Sequence, residues 1–203
     1  QLPFEQGSTP IMEYDPKLLT FKYFFTRKPF FLRECDALSV FPGGFGTQDE
    51  AFDSLTLVQT GKADPMPIVL LDHPGGDYWQ GWDRYVQEHL MANRLISPND
   101  PSLYFITDSV DAAWHEITNF YRVFHSSRYV GERLIIRLNS CLRKGALECL
   151  NQWDGDIIAA GKIEMTAALT EEHDTETANL QRVVGQFNQR DFGRLQQLMR
   201  VIN

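Results

Sequence analysis

Val40-Phe41-Pro42-Gly43-Gly44-Phe45-Gly46-Thr47-Gln48-Asp49-Glu50 decides how the rest of the chain is read. Residues 36–41 read as a short buried strand. After the glycines, Ala51, Phe52, Leu55 and Val58 recur at helical spacing until Gly61 supplies a stop. The passage is therefore strand, glycine loop, helix. Gly43, Gly44 and Gly46 can take backbone angles closed to other residues, so amide N–H groups can turn toward one point without side chains in the way. That point lies at a helix N-terminus, where unpaired donors and the helix dipole favour an anion. The loop is a candidate phosphate cradle.

Glu50 has two readings. Thr47-Gln48-Asp49-Glu50 fits a capping box, with Thr47 as the N-cap and Glu50 reaching back to the Thr47 amide. Alternatively, a carboxylate three residues past an anion-binding loop stands one helical turn from a bound phosphate, close enough to stabilise positive charge forming on an attached sugar.

Outward from this stretch the pattern alternates. Residues 67–71 form a continuous apolar run of the kind buried on both faces of a parallel sheet. Residues 79–95 fit a helix, 103–107 a strand, and 110–124 a helix with Ala113, Ile117, Phe120 and Val123 on one stripe. Such alternation implies a parallel α/β sheet. Upstream, residues 21–31 hold six aromatics, expected mainly in the core with some at a subunit interface. Thr26 as N-cap would put Pro29 in the first turn, where its missing N–H costs little. Arg27 would then face the same sheet end as the glycine loop, placed to fork onto a phosphate or ribose oxygen. The competing reading is a surface Arg paired with a carboxylate.

Phe25-Thr26-Arg27-Lys28, Pro42-Gly43-Gly44-Phe45-Gly46-Thr47-Gln48-Asp49-Glu50, Gln59-Thr60-Gly61-Lys62 and Pro67-Ile68-Val69-Leu70-Leu71 occur in an order and spacing that resembles the LOG ("Lonely Guy") family. The likeness runs from about Leu2 to Tyr121. It implies a Rossmann-like parallel sheet with helices on both faces, of which this chain carries the C-terminal part. It also implies a phosphoribohydrolase acting on a purine nucleoside 5′-monophosphate, a homo-oligomer with shared active sites, and no cofactor. By the same resemblance Glu50 and Arg27 would be catalytic, while Gly43, Gly44, Gly46, Thr47 and Lys28 would hold the nucleotide. A non-catalytic nucleotide or molybdenum-cofactor carrier of the same fold is the alternative. A fragment that is only structural in an assembly is a third. Nothing resembles a pyridoxal-phosphate lysine site.

The opening residues 1–7 begin as if a strand had just ended, and a doubly wound domain should open with a strand and a Gly-rich turn. An N-terminal segment of the same protein is therefore expected to precede this chain. Residues 7–20 read as loop. His125 to Arg128 is the candidate boundary, giving a nucleotide-binding part at 1–126 and a small α+β appendage at 127–203. The appendage reads as strand 133–138, helix 142–153, strand 162–169, strand 181–187 and helix 191–202. Its acidic segment 170–179, with Glu171, Glu172, His173 and Asp174, is explained by solvation more simply than by a metal.

The net charge is −8, all of it carried by residues 1–126. This argues against broad nucleic-acid or anionic-membrane binding, which needs a basic surface. Cys35, Cys141 and Cys149 are odd in number and widely spaced, so reduced, mostly buried thiols are expected rather than disulfides or zinc. Asp72-His73 lacks a third ligand and reads as loop rather than metal site. No apolar run approaches the roughly 18 residues of a membrane span, and a cytoplasmic protein is expected.

Overall fold

The structure is a computed structural model and describes Pro16, Leu19 and residues 21–153 and 155–203. The opening at 1–7, and the loop expected at 7–20 apart from Pro16 and Leu19, lie outside the described residues. The chain divides after Asp36 into two units, each described by itself.

In the first unit, α1 spans Phe24–Arg33 and its N-cap is Tyr23, not Thr26. Thr26 lies in the first turn, its Oγ1 donating to the Tyr23 carbonyl at 2.7 Å. Pro29 is consequently inside the helix rather than in its first turn, where it removes the bond its amide would have given to residue 25. Tyr23, Phe30 and Phe31 are exposed rather than buried in a core.

The second unit holds two sheets. In the first, β1 (Leu38–Val40), β2 (Ile68–Leu71) and β3 (Tyr104–Thr107) are parallel in the order β1-β2-β3. Leu38 faces Ile68, and Ile68 faces Tyr104. All four residues of the central strand are buried, as the uninterrupted apolar run requires. Helices α2 (Phe45–Gln59), α3 (Tyr78–Tyr85) and α4 (Val110–Phe120) alternate with these strands. Together they form an α/β, Rossmann-like arrangement. The helix expected across 79–95 is α-helical only to Tyr85, and Val86–Met91 is a π-helix. Its wider turns persist in the bonds from Ala92 N to Gln87 O and Leu95 N to Leu90 O. Such widening is uncommon and occurs mostly as single turns.

The helix expected at 110–124 ends early. Residues Phe124–Val130 form β4, which turns at Gly131 (φ +59°) and pairs antiparallel with β5 (Arg133–Leu138). The segment read as a boundary is thus a strand with Ser and Arg side chains between its apolar ends. With β6 (Ile158–Thr166) and β7 (Gln181–Phe187) it makes an antiparallel sheet of order β4-β5-β7-β6. Four strands therefore replace the three expected. Helices α5 (Ala146–Trp153) and α6 (Phe192–Ile202) complete this part. The core gathers Phe124, Leu134, Ile136, Leu150, Val183, Leu195 and Met199. Cys141 and Cys149 are exposed and Cys35 half-buried, against the expectation of buried thiols.

The acidic segment is not simply solvated. Glu172 is buried, accepting at Oε2 from Arg137 Nη2 (2.7 Å) and Nε (3.0 Å), and at Oε1 from Arg182 Nε (2.9 Å) and Leu169 N (3.1 Å). Arg137 and Arg182 face each other across β5 and β7. Asp174 also reaches Arg137 at 3.0 Å. Burial alone would raise the Glu172 carboxyl, but the hydrogen bonds from Arg182, Arg137 and the Leu169 amide outweigh it and hold it below the usual carboxylate range. Removing one member of a buried network strands the others, so Glu172→Gln is expected to lower stability by about 3 kcal/mol in urea titrations. Because the folded carboxyl titrates lower than the unfolded one, its contribution is full above the ordinary glutamate range. It fades as pH falls through the folded value, so acid should narrow the gap between wild type and variant.

Candidate functional site at the carboxyl ends of the parallel strands

Three connections leave the carboxyl ends of β1, β2 and β3, where open α/β sheets place their ligands. The first is the glycine loop. Gly44 is the N-cap of α2, with φ −87° and ψ −156°. The helix therefore starts three residues earlier than a Thr47 cap would allow, and Thr47 is not the N-cap that a capping box with Glu50 requires. Glycine is an acceptable N-cap, and the Thr47 side chain lies over Gly43: a Cβ on Gly43 would lie 2.9 Å from Thr47 Cβ and overlap its hydroxyl. Gly43 is thus required by close approach. Gly43, Gly44 and Gly46 are not among the residues with positive φ, so none of them uses the left-handed freedom of glycine. Space is what Gly44 and Gly46 supply, since nothing lies within 4 Å of an added Cβ at either.

The first bond of the α2 ladder runs from Gln48 N to Gly44 O at 3.1 Å. The amides of Phe45, Gly46 and Thr47 precede it and stand at the positive end of a helix of 15 residues. Thr47 and Glu50, three residues apart, share one side of this helix. Both are half-buried, whereas Gly43, Gly44 and Gly46 are exposed. Ser54, one turn further on, donates from Oγ to the Glu50 carbonyl at 2.6 Å. Phe41 and Phe45, flanking the loop, are 60% and 96% exposed.

The second connection follows β2 and contains a residue that sequence reasoning passed over. Tyr78, the first residue of α3, donates its hydroxyl to the Gly43 carbonyl at 2.6 Å and accepts from Gln48 Nε2 at 2.5 Å. It ties the glycine loop to α3. No spacing signal marks it, because the contact joins residues 35 apart. Behind it, Trp79 is fully buried, and the rings of Trp79, Phe52 and Tyr104 lie 5.9, 5.3 and 5.2 Å from Trp82. These contacts fasten α2, α3 and β3 together. The Tyr104 hydroxyl donates to Asp83 at 2.5 Å, and burial followed by the neighbouring Asp83 charge pushes that phenol up.

Asp72 and His73 stand at the start of the same connection. The Asp72 carboxylate is buried and accepts at Oδ1 from His73 N (2.8 Å) and at Oδ2 from Trp79 N (3.4 Å), with His73 Nδ1 at 2.9 Å from Oδ1. Burial pushes this carboxyl up, but the amides of His73, Trp79 and Tyr78 and the His73 ring hold it below its ordinary value. The third connection, after β3, contributes Asp108, which accepts from Gly75 N at 2.9 Å. Among the described residues no group of three or more His, Cys, Asp or Glu side chains is arranged to hold a metal ion.

Gly43, Gly44, Gly46, Thr47 and Glu50 are thus brought together on one loop and helix. Arg27 and Lys28, both half-buried, belong to the other unit. Arg27 is the fourth residue of α1 rather than part of its opening turn.

The sequence profile of a family described as "possible lysine decarboxylase" matches residues 3–117, more than half of the chain. The chain belongs to this family, the LOG family. A search among curated proteins finds no match. LOG membership makes this a nucleotide-processing, Rossmann-like protein. The LOG glycine motif coincides with the loop, cap and first turn of α2 just described. No helix among the described residues is long and apolar enough to cross a membrane.

Removing the Tyr78 hydroxyl deletes two hydrogen bonds at this loop. Tyr78→Phe is expected to lower unfolding free energy by about 1 kcal/mol, read from the urea midpoint; an unchanged midpoint would show that the tether contributes nothing.

Proposed function

We propose that the protein hydrolyses the N-glycosidic bond of a purine nucleoside 5′-monophosphate, releasing free base and ribose 5-phosphate. The observation that carries this reading is the start of α2: open amides at a helix N-terminus, with Thr47 and Glu50 on one side behind them. The amides around Gly44, Gly46 and Thr47 and the Thr47 hydroxyl bind the 5′-phosphate. Gly43 permits this by leaving room for the Thr47 side chain. Binding energy at the phosphate, remote from the bond that breaks, positions the ribose. Glu50 then stabilises oxocarbenium-like charge at the anomeric carbon or aligns the attacking water, by the logic of carboxylates in glycoside hydrolysis.

Arg27 and Lys28 enter the proposal as ligands of ribose and phosphate, on the strength of the family motif. The reading also takes the protein as a cytoplasmic homo-oligomer. The exposed Phe41 and Phe45 beside the loop are suited to an interface completing the site.

The test incubates the full gene product with AMP and follows adenine and ribose 5-phosphate by chromatography, with Glu50→Gln in parallel. Turnover is expected to fall by about 100-fold or more in the variant, while AMP affinity by calorimetry stays within a few-fold. Equal turnover would remove Glu50 from the chemistry. Tight binding with no product from wild type would replace the hydrolase by a nucleotide carrier.

A further inference from the structure

The mechanism above leaves one need unmet, since a departing base carries away the electron pair of the broken bond and has to be protonated. The turn after β2 holds an arrangement suited to that need. Asp72 is buried at the strand end, with its side chain 3% exposed, while the side chain of His73 beside it is 76% exposed. Two backbone amides and the His73 ring converge on this carboxylate. An ionised carboxylate only accepts, so the 2.9 Å contact with His73 Nδ1 fixes the proton on Nδ1 and leaves Nε2 as the exchangeable nitrogen. The turn closes around the pair because residue 76 is glycine: a Cβ there would overlap the Asp72 carboxylate and lie 2.7 Å from His73 Cε1. Asp108 holds the same turn through Gly75 N. The turn leads directly into Tyr78, whose hydroxyl touches Gly43 of the phosphate loop.

We infer that His73, oriented by Asp72, is the acid that protonates the leaving base. The inference rests on the phosphoribohydrolase reading and assigns a residue that this reading lacked. As the bond between the anomeric carbon and the base nitrogen breaks, its electron pair goes to the base. A ring nitrogen of the base takes the proton from His73 Nε2, and a water oxygen bonds to the anomeric carbon. The proton lost by that water passes to Glu50 and then to solvent, and His73 recovers a proton from solvent. The sum is one water consumed, with free base and ribose 5-phosphate formed. Asp72 is a positioning residue that fixes the ring and its tautomer.

The experiment compares wild type and His73→Gln in the full gene product on two substrates. One is AMP; the other is 4-nitrophenyl riboside 5-phosphate, whose leaving group departs without protonation. AMP affinity by calorimetry shows that the variant is folded with its phosphate loop intact. The expected result is a loss of about 100-fold or more in kcat on AMP and a change of no more than about threefold on the nitrophenyl substrate, the signature of a lost general acid. Equal kcat on AMP overturns the inference. So does an equal loss on both substrates with affinity retained, which would make His73 a general contributor to site geometry. If wild type cleaves the nitrophenyl substrate but not AMP, the hydrolase reading survives without its base acid and the inference falls. If it cleaves neither, the hydrolase reading itself has failed.

Discussion

Helix α2 is held at both ends, and the geometry of the candidate site depends on that constraint. At its start, Tyr78 bonds the Gly43 carbonyl and is itself bonded by Gln48. At its finish, Gln59 Nε2 donates to the buried Asp100 carboxylate. Gly61 takes φ +67° with a Cβ position already filled by the ring of Phe192, the first residue of α6. In between, Ala51, Ser54 and Val58 are buried and the Phe52 ring packs tilted against Trp82. A helix fixed in this way presents its first-turn amides in one orientation, and preorganised donors cost no rearrangement when a charge arrives.

The residues after 123 bear on this through α6. Its apolar face, Leu195, Leu198, Met199 and Ile202, belongs to the core beneath the antiparallel sheet. Its other contacts reach the parallel sheet and its connections. Gly193 approaches the Asn99 backbone so closely that a Cβ would lie 2.6 Å from its carbonyl carbon. Gln196 donates to Met66 O at 3.1 Å and Arg200 pairs with Glu116 at 2.9 Å. At the end of the chain, the Asn203 side chain accepts from the amides of Val123 and Phe124 at 2.7 and 3.0 Å. Helix α6 is therefore stitched to the parallel sheet and its connections, and a mutation in α6 can act on α2 through Phe192 and Gly61.

Much of the parallel sheet was legible because burial imposes simple patterns. The apolar run at 67–71 is buried through β2, and the helical stripe through Ala51 and Val58 is the inward face of α2. Boundaries were misread wherever a residue had two physical uses. Thr26 and Thr47 both look like N-caps, yet each lies inside a first turn, with Thr47 folded over Gly43. Pro29 sits within α1 although proline ordinarily ends helices. Strand β4 was hidden because its centre, Ser126-Ser127-Arg128, has the composition of a linker and gains strand character only through pairing with β5. Within the site, the glycine loop and Glu50 were visible as a motif. Tyr78 was not, since its meaning lies in a contact between connections rather than in spacing; the Asp72–His73 pair was seen but read as loop, because sequence does not show the Trp79 amide folding back onto the buried carboxylate. The Arg137–Glu172–Arg182 network was likewise concealed: its charges are dispersed in sequence and converge only when β5 and β7 pair.

The central claim is that the start of α2 binds the phosphate of a nucleotide. The most direct measurement is a titration of the 15N-labelled protein with ribose 5-phosphate, following backbone amide resonances. The account predicts saturable shifts largest at Gly44, Phe45, Gly46 and Thr47, competed away by AMP. Saturable shifts centred elsewhere, with these four amides unmoved, would contradict it.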